Sequence, residues 1–206
     1  MKPNERGAFI AFGMESGFGE DKRMFIDDGY LGPMQMSQDV AVKHGLLVSS
    51  EDKGRDDTYD PRIDINTSIN IYANETNERI KNVGSWANWD INKRAEDLGI
   101  SKEQLKYLTW QQGRAGAIDI ITTATSGINY PGNSTSGKLG KGMADKLRGN
   151  MDFISEFTSK GKEHTELASH YINQFKDMWG KREQESYEKI PPSQEEQVFK
   201  KLGLFD

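Results

Sequence analysis

The chain of 206 residues contains no cysteine and only three histidines. The absence of cysteine excludes a disulfide framework, a thiolate zinc site and a cysteine nucleophile. His164 and His170 are six residues apart, so a helix would not place them on one face, and a histidine metal site is not expected. We therefore expect the protein to use neither a metal ion nor a cofactor.

Long apolar runs and a basic surplus are also missing. The first apolar segment, residues 8–14, is short and is followed at once by Glu15, whereas a signal peptide needs a longer apolar core and a small-residue cleavage site. No segment approaches the ~20 apolar residues of a membrane span. The net charge of −5 argues against binding of nucleic-acid phosphates as the main task.

Aromatic residues and glycines, by contrast, are plentiful. Nine Phe, seven Tyr and four Trp are enough to fill a core, so full disorder is not expected despite a mean hydropathy of −0.78. Twenty-one glycines in a chain this polar are unusual. At this length we expect one domain with an appendage.

The spacing of apolar residues predicts a mainly helical fold with little or no sheet. Ser101 and Gln104 form a capping box, which predicts a helix from Lys102 to about residue 112. Further helices are expected over 8–14, over 34–44, from residue 62 onward, over 90–98 and over 117–124. Residues 126–142, rich in Gly, Ser and Asn, are expected to form a long loop.

We place a domain boundary near residue 145, between a compact domain over 1–145 and a helical extension over 146–206. The extension carries an apolar stripe at helical spacing, formed by Leu167, Tyr171, Phe175 and Trp179. An exposed apolar stripe is typical of a docking surface for a partner protein. The alternative is that the stripe packs against the rest of the fold.

Glu15 is the strongest candidate for a catalytic group. It stands at a predicted helix end between Met14 and Phe18, and glycines follow it. Apolar neighbours would raise the pKa of its carboxyl group and keep it protonated near neutral pH, as a general acid requires. The alternative is a solvated glutamate on the surface.

Four short segments carry a resemblance to a known family. Residues 15–18 (ESGF) and 29–35 (GYLGPMQ) resemble the opening signature of lytic transglycosylases, a Glu-Ser-x-Phe followed by a Gly-Leu-Met-Gln turn. Residues 60–66 (DPRIDIN) resemble the Asp-Pro…Asn segment of that family, and residues 109–113 (TWQQG) its Ala-Tyr-Asn-x-Gly segment. Within the family, the sequence is most similar to the transglycosylase domain of internal virion proteins of short-tailed bacteriophages.

The resemblance implies a lysozyme-like, mainly α fold that cleaves the β-1,4 bond between MurNAc and GlcNAc in peptidoglycan. It implies that one residue, Glu15, acts as general acid and then as general base, producing a 1,6-anhydromuramoyl end. It also implies delivery in a virion, other virion proteins as partners, and local opening of the cell wall during genome entry. The positions that would bind substrate are Ser16, Phe18, Met34, Gln35, Trp110 and Gln111.

These positions have distinct expected roles. Met34 and Trp110 would wall the pocket of the acid and stack against a sugar. Gln35 and Gln111 would offer amide hydrogen bonds to an N-acetyl group or hold the acid in place. Ser16 would satisfy either the carboxylate or the end of a helix. Seven glycines lie in or beside the motifs and would allow a sugar chain to approach the backbone: Gly13, Gly17, Gly19, Gly29, Gly32, Gly113 and Gly116.

Two other functions remain open. A hydrolytic endolysin or goose-type lysozyme would use water, and candidates for its second carboxylate are Asp27, Asp28, Asp56 and Asp57. A catalytically dead, lysozyme-like virion protein would keep the fold alone. This alternative arises because Pro33, Trp110 and Gln111 depart from the residues that are usual in the family.

Overall fold

The computed structural model describes residues 3–22, 29–46, 60–83, 91–126 and 163–191, with the single residues 147, 194, 197 and 201. Within these ranges the elements are α1 (Pro3–Ser16), β1 (Tyr30–Leu31), β2 (Met36–Ser37), α2 (Gln38–Lys43), α3 (Ile65–Val83), α4 (Ile91–Asp97), α5 (Lys102–Ala124) and α6 (Glu163–Lys189). The predicted mainly helical class with little sheet is therefore confirmed. The predicted boundary near residue 145 lies outside the described residues, as does the predicted loop from residue 127 onward.

The chain forms two compact units. Unit 1 contains residues 1–75 and 179–206, and unit 2 contains residues 76–178.

Unit 1 is built on α1, which is buried on all sides. Its apolar residues from Ala8 to Phe12 are at most 6% exposed, which is typical of a central helix. The guanidinium group of Arg6, also buried, donates hydrogen bonds to the carbonyl oxygens of Ser186 (2.8 Å) and Ile190 (3.0 Å). Because the last carbonyls of a helix have no partner within the helix, Arg6 completes the C-terminal end of α6.

Unit 2 is built on α5 and on the part of α6 that precedes residue 179. The rings of Tyr107 and Phe175 stack with their centroids 5.9 Å apart. Leu167, Tyr171 and Phe175 are 0, 5 and 1% exposed, and Trp179, in unit 1, is 4% exposed. The stripe that the sequence offered as a docking surface is thus buried, and these positions follow the alternative interpretation, in which the stripe packs within the fold.

Residues 30–37 differ from the sequence expectation. The predicted helix over 34–44 is shortened to α2, because the chain first forms an antiparallel hairpin in which Leu31 pairs with Met36. Ser37 is the N-cap of α2, and its hydroxyl accepts a hydrogen bond from the Val40 amide. The predicted capping box at Ser101 is present, with both of its hydrogen bonds.

Candidate active site

The end of α1 is a tight turn that fixes the position of Glu15. Glu15 lies in the last turn of the helix and is half-buried. Ser16 is fully buried, and its hydroxyl donates to the Phe12 carbonyl (3.1 Å) and accepts from the Gly19 amide (3.2 Å). Ser16 was expected to satisfy either the Glu15 carboxylate or the end of a helix, and these two hydrogen bonds are at the helix end.

Three consecutive residues of this turn have left-handed backbone conformations. The φ angles are 57° at Gly17, 60° at Phe18 and 86° at Gly19. A side chain in this region is strained by about 1–2 kcal/mol per residue, which is why glycine is favoured on both sides of Phe18. The conformation turns the chain sharply away from the helix axis directly after Glu15 and Ser16.

Phe18 folds back onto the helix that precedes it. Its ring centroid lies 4.9 Å from that of Phe9, and a Cβ atom added to Gly13 would lie only 2.4 Å from Cζ of Phe18. The Nζ atom of Lys189 lies 5.4 Å from the centroid of the same ring. Packing against α1 offsets the backbone strain, and the role of Phe18 in binding substrate stays a prediction.

The family-like turn over residues 32–35 is the loop of the β1–β2 hairpin. Gln35 donates to the carbonyl of Gly32 from its amide nitrogen (3.0 Å) and from its side-chain Nε2 (3.1 Å). Met34 is fully buried, so its side chain is part of the core. The Nε2 group of Gln35 thus helps to hold the loop. The expected substrate contacts of Met34 and Gln35 stay predictions.

The backbone of this loop lies against the segment 60–66. A Cβ atom added to Gly32, whose φ is 81°, would lie 1.8 Å from the carbonyl oxygen of Arg62. Arg62 is buried, and its guanidinium group donates to Oδ2 of Asp60 from Nε (3.0 Å) and from Nη2 (2.7 Å). Its Nη1 donates to the Met36 carbonyl (3.3 Å). The close approach that glycine permits here is therefore to another part of the backbone.

Asp64, within this segment, directly precedes α3. Its Oδ1 accepts a hydrogen bond from the Thr67 amide (2.7 Å). Hydrogen bonds from Thr67, and to a smaller extent from the Asn66 backbone, lower the pKa of the Asp64 carboxyl below its usual value of 3.8. The segment 60–66 thus braces the hairpin and begins α3.

The family-like segment 109–113 lies in unit 2, where α5 is interrupted. Gly113 has a φ of 70° and a ψ of 166°, which is not helical. Nη1 of Arg79 donates to the Thr109 carbonyl (2.6 Å), and its Cζ lies 5.6 Å from the centroid of the Trp110 ring. A glycine kink in a helix breaks part of the backbone ladder, and here an arginine side chain satisfies one of the carbonyls beside it.

Next to the kink, one phenol joins two glutamines. The Tyr171 hydroxyl donates to Oε1 of Gln111 (2.6 Å) and accepts from Nε2 of Gln112 (2.9 Å). Gln111 and Trp110 are half-buried, whereas Gln112 and Tyr171 are buried. Oε1 of Gln112 is buried and has no hydrogen-bond partner in the described part of the chain.

Sequence reasoning missed Tyr171 and Arg79 as polar partners of this segment. The apolar spacing accounts only for the ring of Tyr171, whereas a buried tyrosine usually also finds a partner for its hydroxyl. This tendency of buried tyrosines could have indicated a hydrogen-bonding role for Tyr171. No comparable feature of the sequence indicated the role of Arg79. The sequence also did not indicate that Asp119 is a perturbed carboxyl group: burial raises its pKa above the usual value.

The candidate residues divide between the two units. Glu15, Ser16, Phe18, Met34 and Gln35 belong to unit 1, and Trp110 and Gln111 belong to unit 2. The carboxylates considered for a hydrolytic reaction, Asp27, Asp28, Asp56 and Asp57, lie outside the described residues.

The described residues contain no group of three or more His, Asp or Glu side chains that could hold a metal ion. Nor does any helix in the described ranges combine the length and apolarity needed to cross a bilayer.

Comparison of the chain with protein-family models, with curated proteins and with solved structures found no match. The likeness to lytic transglycosylases therefore depends on the motif residues themselves.

Proposed function

We propose that the protein is a peptidoglycan lytic transglycosylase in which Glu15 is the single acid and base. The observation that carries the proposal is the turn after α1. A half-buried carboxyl group lies in the last turn of a buried helix, and the fully buried Ser16 fixes the chain directly behind it. A catalytic group on a rigid element is held more precisely than one on a loop.

The chemistry needs one carboxyl group in two protonation states. Protonated Glu15 donates its proton to the glycosidic oxygen between MurNAc and GlcNAc while an oxocarbenium-like centre develops at the sugar carbon. The resulting carboxylate then accepts the proton of the 6-hydroxyl of the same MurNAc residue, whose oxygen closes the 1,6-anhydro ring. The proton returns to Glu15, and no water enters the product.

The hairpin supports the proposal as the second motif of unit 1. Its loop has two left-handed residues, Gly32 and Gln35, and the buried Arg62 braces its second strand through the Met36 carbonyl. Two of the family-like segments, residues 29–35 and 60–66, therefore contact each other. Such contact is expected if both belong to one local architecture.

Unit 2, taken by itself, offers groups that suit a sugar. The half-buried indole of Trp110 presents an aromatic surface, and the adjacent amide of Gln111 can exchange hydrogen bonds with an acetamido group. Carriage in a virion, contact with other virion proteins and opening of the wall during genome entry are part of the same proposal. They are supported by the resemblance to phage internal virion proteins.

The experiment is the digestion of purified peptidoglycan followed by mass spectrometry of the released fragments. We expect fragments that end in 1,6-anhydromuramic acid, and we expect Glu15→Gln to lower their rate of release by about 10³-fold, within the range for loss of a general acid. The matched control is Glu20→Gln, because Glu20 is a nearby carboxylate with a side chain 73% exposed. This control should release fragments at the rate of the unmodified protein.

Two results would overturn the proposal. Reducing ends in place of anhydro ends would make the protein a hydrolase. No release by the unmodified protein would make it a catalytically dead relative.

A further inference from the structure

Unit 2 has an open cleft that the proposed reaction does not use. The cleft has a volume of about 430 Å³ and is bordered by the end of α3, by α4 and by the start of α5. All of its lining residues belong to unit 2, and none of them lies in a family-like motif. Small-molecule sites usually have volumes of about 300–1,000 Å³, so the cleft is large enough for a small ligand.

The apolar part of the lining is aliphatic. It consists of Ile80, Ala95, Ile100 and Leu105. Ile80 is half-buried, and the other three side chains are packed into the fold with at most 3% of their surface exposed. The cleft therefore has firmly held aliphatic walls, which suit the aliphatic part of a ligand.

The charged part of the lining has a surplus of positive charge. Lys81 and Lys102 contribute ammonium groups, and Glu96 is the one acidic residue among the lining residues that the structure describes. Complementary charge favours binding and suppresses partners of the wrong sign. Two cations against one carboxylate therefore favour an anionic ligand.

The two lysines of the cleft also differ from the other lysines of unit 2. Within the described residues, no hydrogen bond or ion pair uses the ammonium group of Lys81 or Lys102. The other three described lysines of the unit each bond to an oxygen atom of the protein: Lys93, Lys106 and Lys176. The donors of Lys81 and Lys102 are thus available to a ligand, because an ammonium group has three donors and no acceptor.

We infer that this cleft binds a small aliphatic monocarboxylate. The hydrocarbon chain packs against the aliphatic walls, and the carboxylate accepts charge-assisted hydrogen bonds from Lys81 and Lys102. The carboxylate can serve both lysines, because it has two acceptor oxygens. This inference goes beyond the proposed function, since it involves neither Glu15 nor a sugar.

The test is a titration of the full, ¹⁵N-labelled chain followed by amide NMR shifts. The probes share one hydrocarbon chain and differ in charge: octanoate, 1-octanol and octylammonium. We expect shifts at the residues that line the cleft and an affinity for octanoate about fivefold higher than for 1-octanol, the scale of two solvent-exposed ion pairs. Octylammonium should bind more weakly than 1-octanol.

Chain length tests the aliphatic walls separately from the charges. Hexanoate carries the same carboxylate on a chain shorter by two methylene groups. It should bind about fivefold more weakly than octanoate, which is less than two fully buried methylenes would give. Equal affinities for hexanoate and octanoate would contradict packing of the chain in the cleft.

Charge variants assign the carboxylate to the two lysines. Lys81→Gln and Lys102→Gln should each weaken octanoate binding by about twofold and leave 1-octanol binding unchanged. Glu96→Gln should strengthen octanoate binding by about twofold, because it removes a like charge. Lys93→Gln is the matched control, since Lys93 is an exposed lysine of α4 that does not line the cleft, and it should change neither affinity.

A variant that fills the cleft tests the place of binding. Asn92 is an exposed residue of α4 that lines the cleft, so Asn92→Trp should abolish octanoate binding. Lys93→Trp adds the same indole one residue further along α4 and should leave binding intact.

Several results would overturn the inference. They are equal affinities for octanoate and 1-octanol, octanoate binding that survives Asn92→Trp, and no binding at all. Weaker octanoate binding by Glu96→Gln would also overturn it, because the ligand would then need a cationic group. No arm of the test uses peptidoglycan, so failure of the proposed function would leave this inference standing.

Discussion

The turn after α1 and the kink in α5 are both places where left-handed backbone interrupts a helix, but different parts of the chain hold them. In the turn, the hydrogen bonds of Ser16 and Gly17 join residues at most five positions apart, from Phe12 to Asp21. At the kink, the side-chain hydrogen bonds join residues 30, 59 and 60 positions apart. The turn is a local device, whereas the kink depends on residues from α3 and α6.

This difference has a consequence for the motifs. A local turn can be encoded in one short stretch of the chain, and the hydrogen bonds of Ser16 and Gly17 all lie within residues 12–21. The segment 109–113 cannot fix its own side chains, because Arg79 and Tyr171 supply the partners. Gly113→Ala and Ser16→Ala break the kink and the turn, respectively. Gly32→Ala and Asp64→Asn act on the hairpin and on the segment 60–66 that braces it, and the expected effects run from Gly32→Ala, the largest, to Asp64→Asn, the smallest.

Gly32→Ala should destabilise unit 1 by about 3–5 kcal/mol, because it combines left-handed strain with severe overpacking. The added Cβ would lie 1.8 Å from the Arg62 carbonyl oxygen. The free energy of unfolding from urea denaturation measures the effect. Gly29→Ala is the control, since Gly29 also has a positive φ of 103° but no atom within 4 Å of its added Cβ. A loss no larger than that of Gly29→Ala would refute the close backbone approach.

Gly113→Ala should lower the free energy of unfolding by about 1–3 kcal/mol, the range for a side chain in a backbone region reserved for glycine. The added Cβ meets no atom within 4 Å, so conformation alone carries the effect. Gly180→Ala, in the regular part of α6 with equally open surroundings, should instead stabilise the protein by about 0.5–1 kcal/mol. A stabilising Gly113→Ala would mean that α5 straightens and the kink is not required.

Ser16→Ala should cost about 1–2 kcal/mol of stability, because the buried hydroxyl makes two hydrogen bonds that nothing replaces. The loss should appear in thermal unfolding as a lower Tm. Because the turn is local, a second substitution at Tyr171 should add to this loss without interaction. A non-additive double variant would show that the turn and the kink are not held independently.

Asp64→Asn should have the smallest effect at neutral pH, within about 1 kcal/mol, because asparagine is also a good N-cap. Hydrogen bonds from Thr67 lower the folded-state pKa of Asp64 below 3.8. The stability that this carboxylate contributes is therefore present above pH 3.8 and lost as the pH falls through the lower folded-state pKa. Below pH 3.8 the unmodified protein should lose stability more steeply than Asp64→Asn. Parallel pH profiles would contradict this assignment.

Several elements of the fold could be predicted because their causes are local. The capping box at Ser101 and Gln104 needs only four consecutive residues, and both hydrogen bonds are present. The helical class follows from apolar spacing along each segment. The hairpin at 30–37 was missed because its loop depends on a positive φ of 46° at Gln35, which the residue type does not indicate.

The candidate site could be predicted less completely. The position of Glu15 and Ser16 at a helix end could be predicted because the motif and the turn occupy the same residues. The catalytic role of Glu15 stays a prediction. Tyr171 was missed as a hydrogen-bonding group, because the apolar periodicity that buries its ring gives no information about where its hydroxyl is directed. The long-range partners of residues 109–113 become visible only when unit 2 is folded.

The most direct test of Glu15 as a single acid and base is digestion of peptidoglycan in ¹⁸O-labelled water. The account predicts anhydro ends that are one water lighter than reducing ends, that carry no ¹⁸O, and that are nearly absent with Glu15→Gln. Reducing ends labelled with ¹⁸O, or release that Glu15→Gln does not diminish, would contradict it.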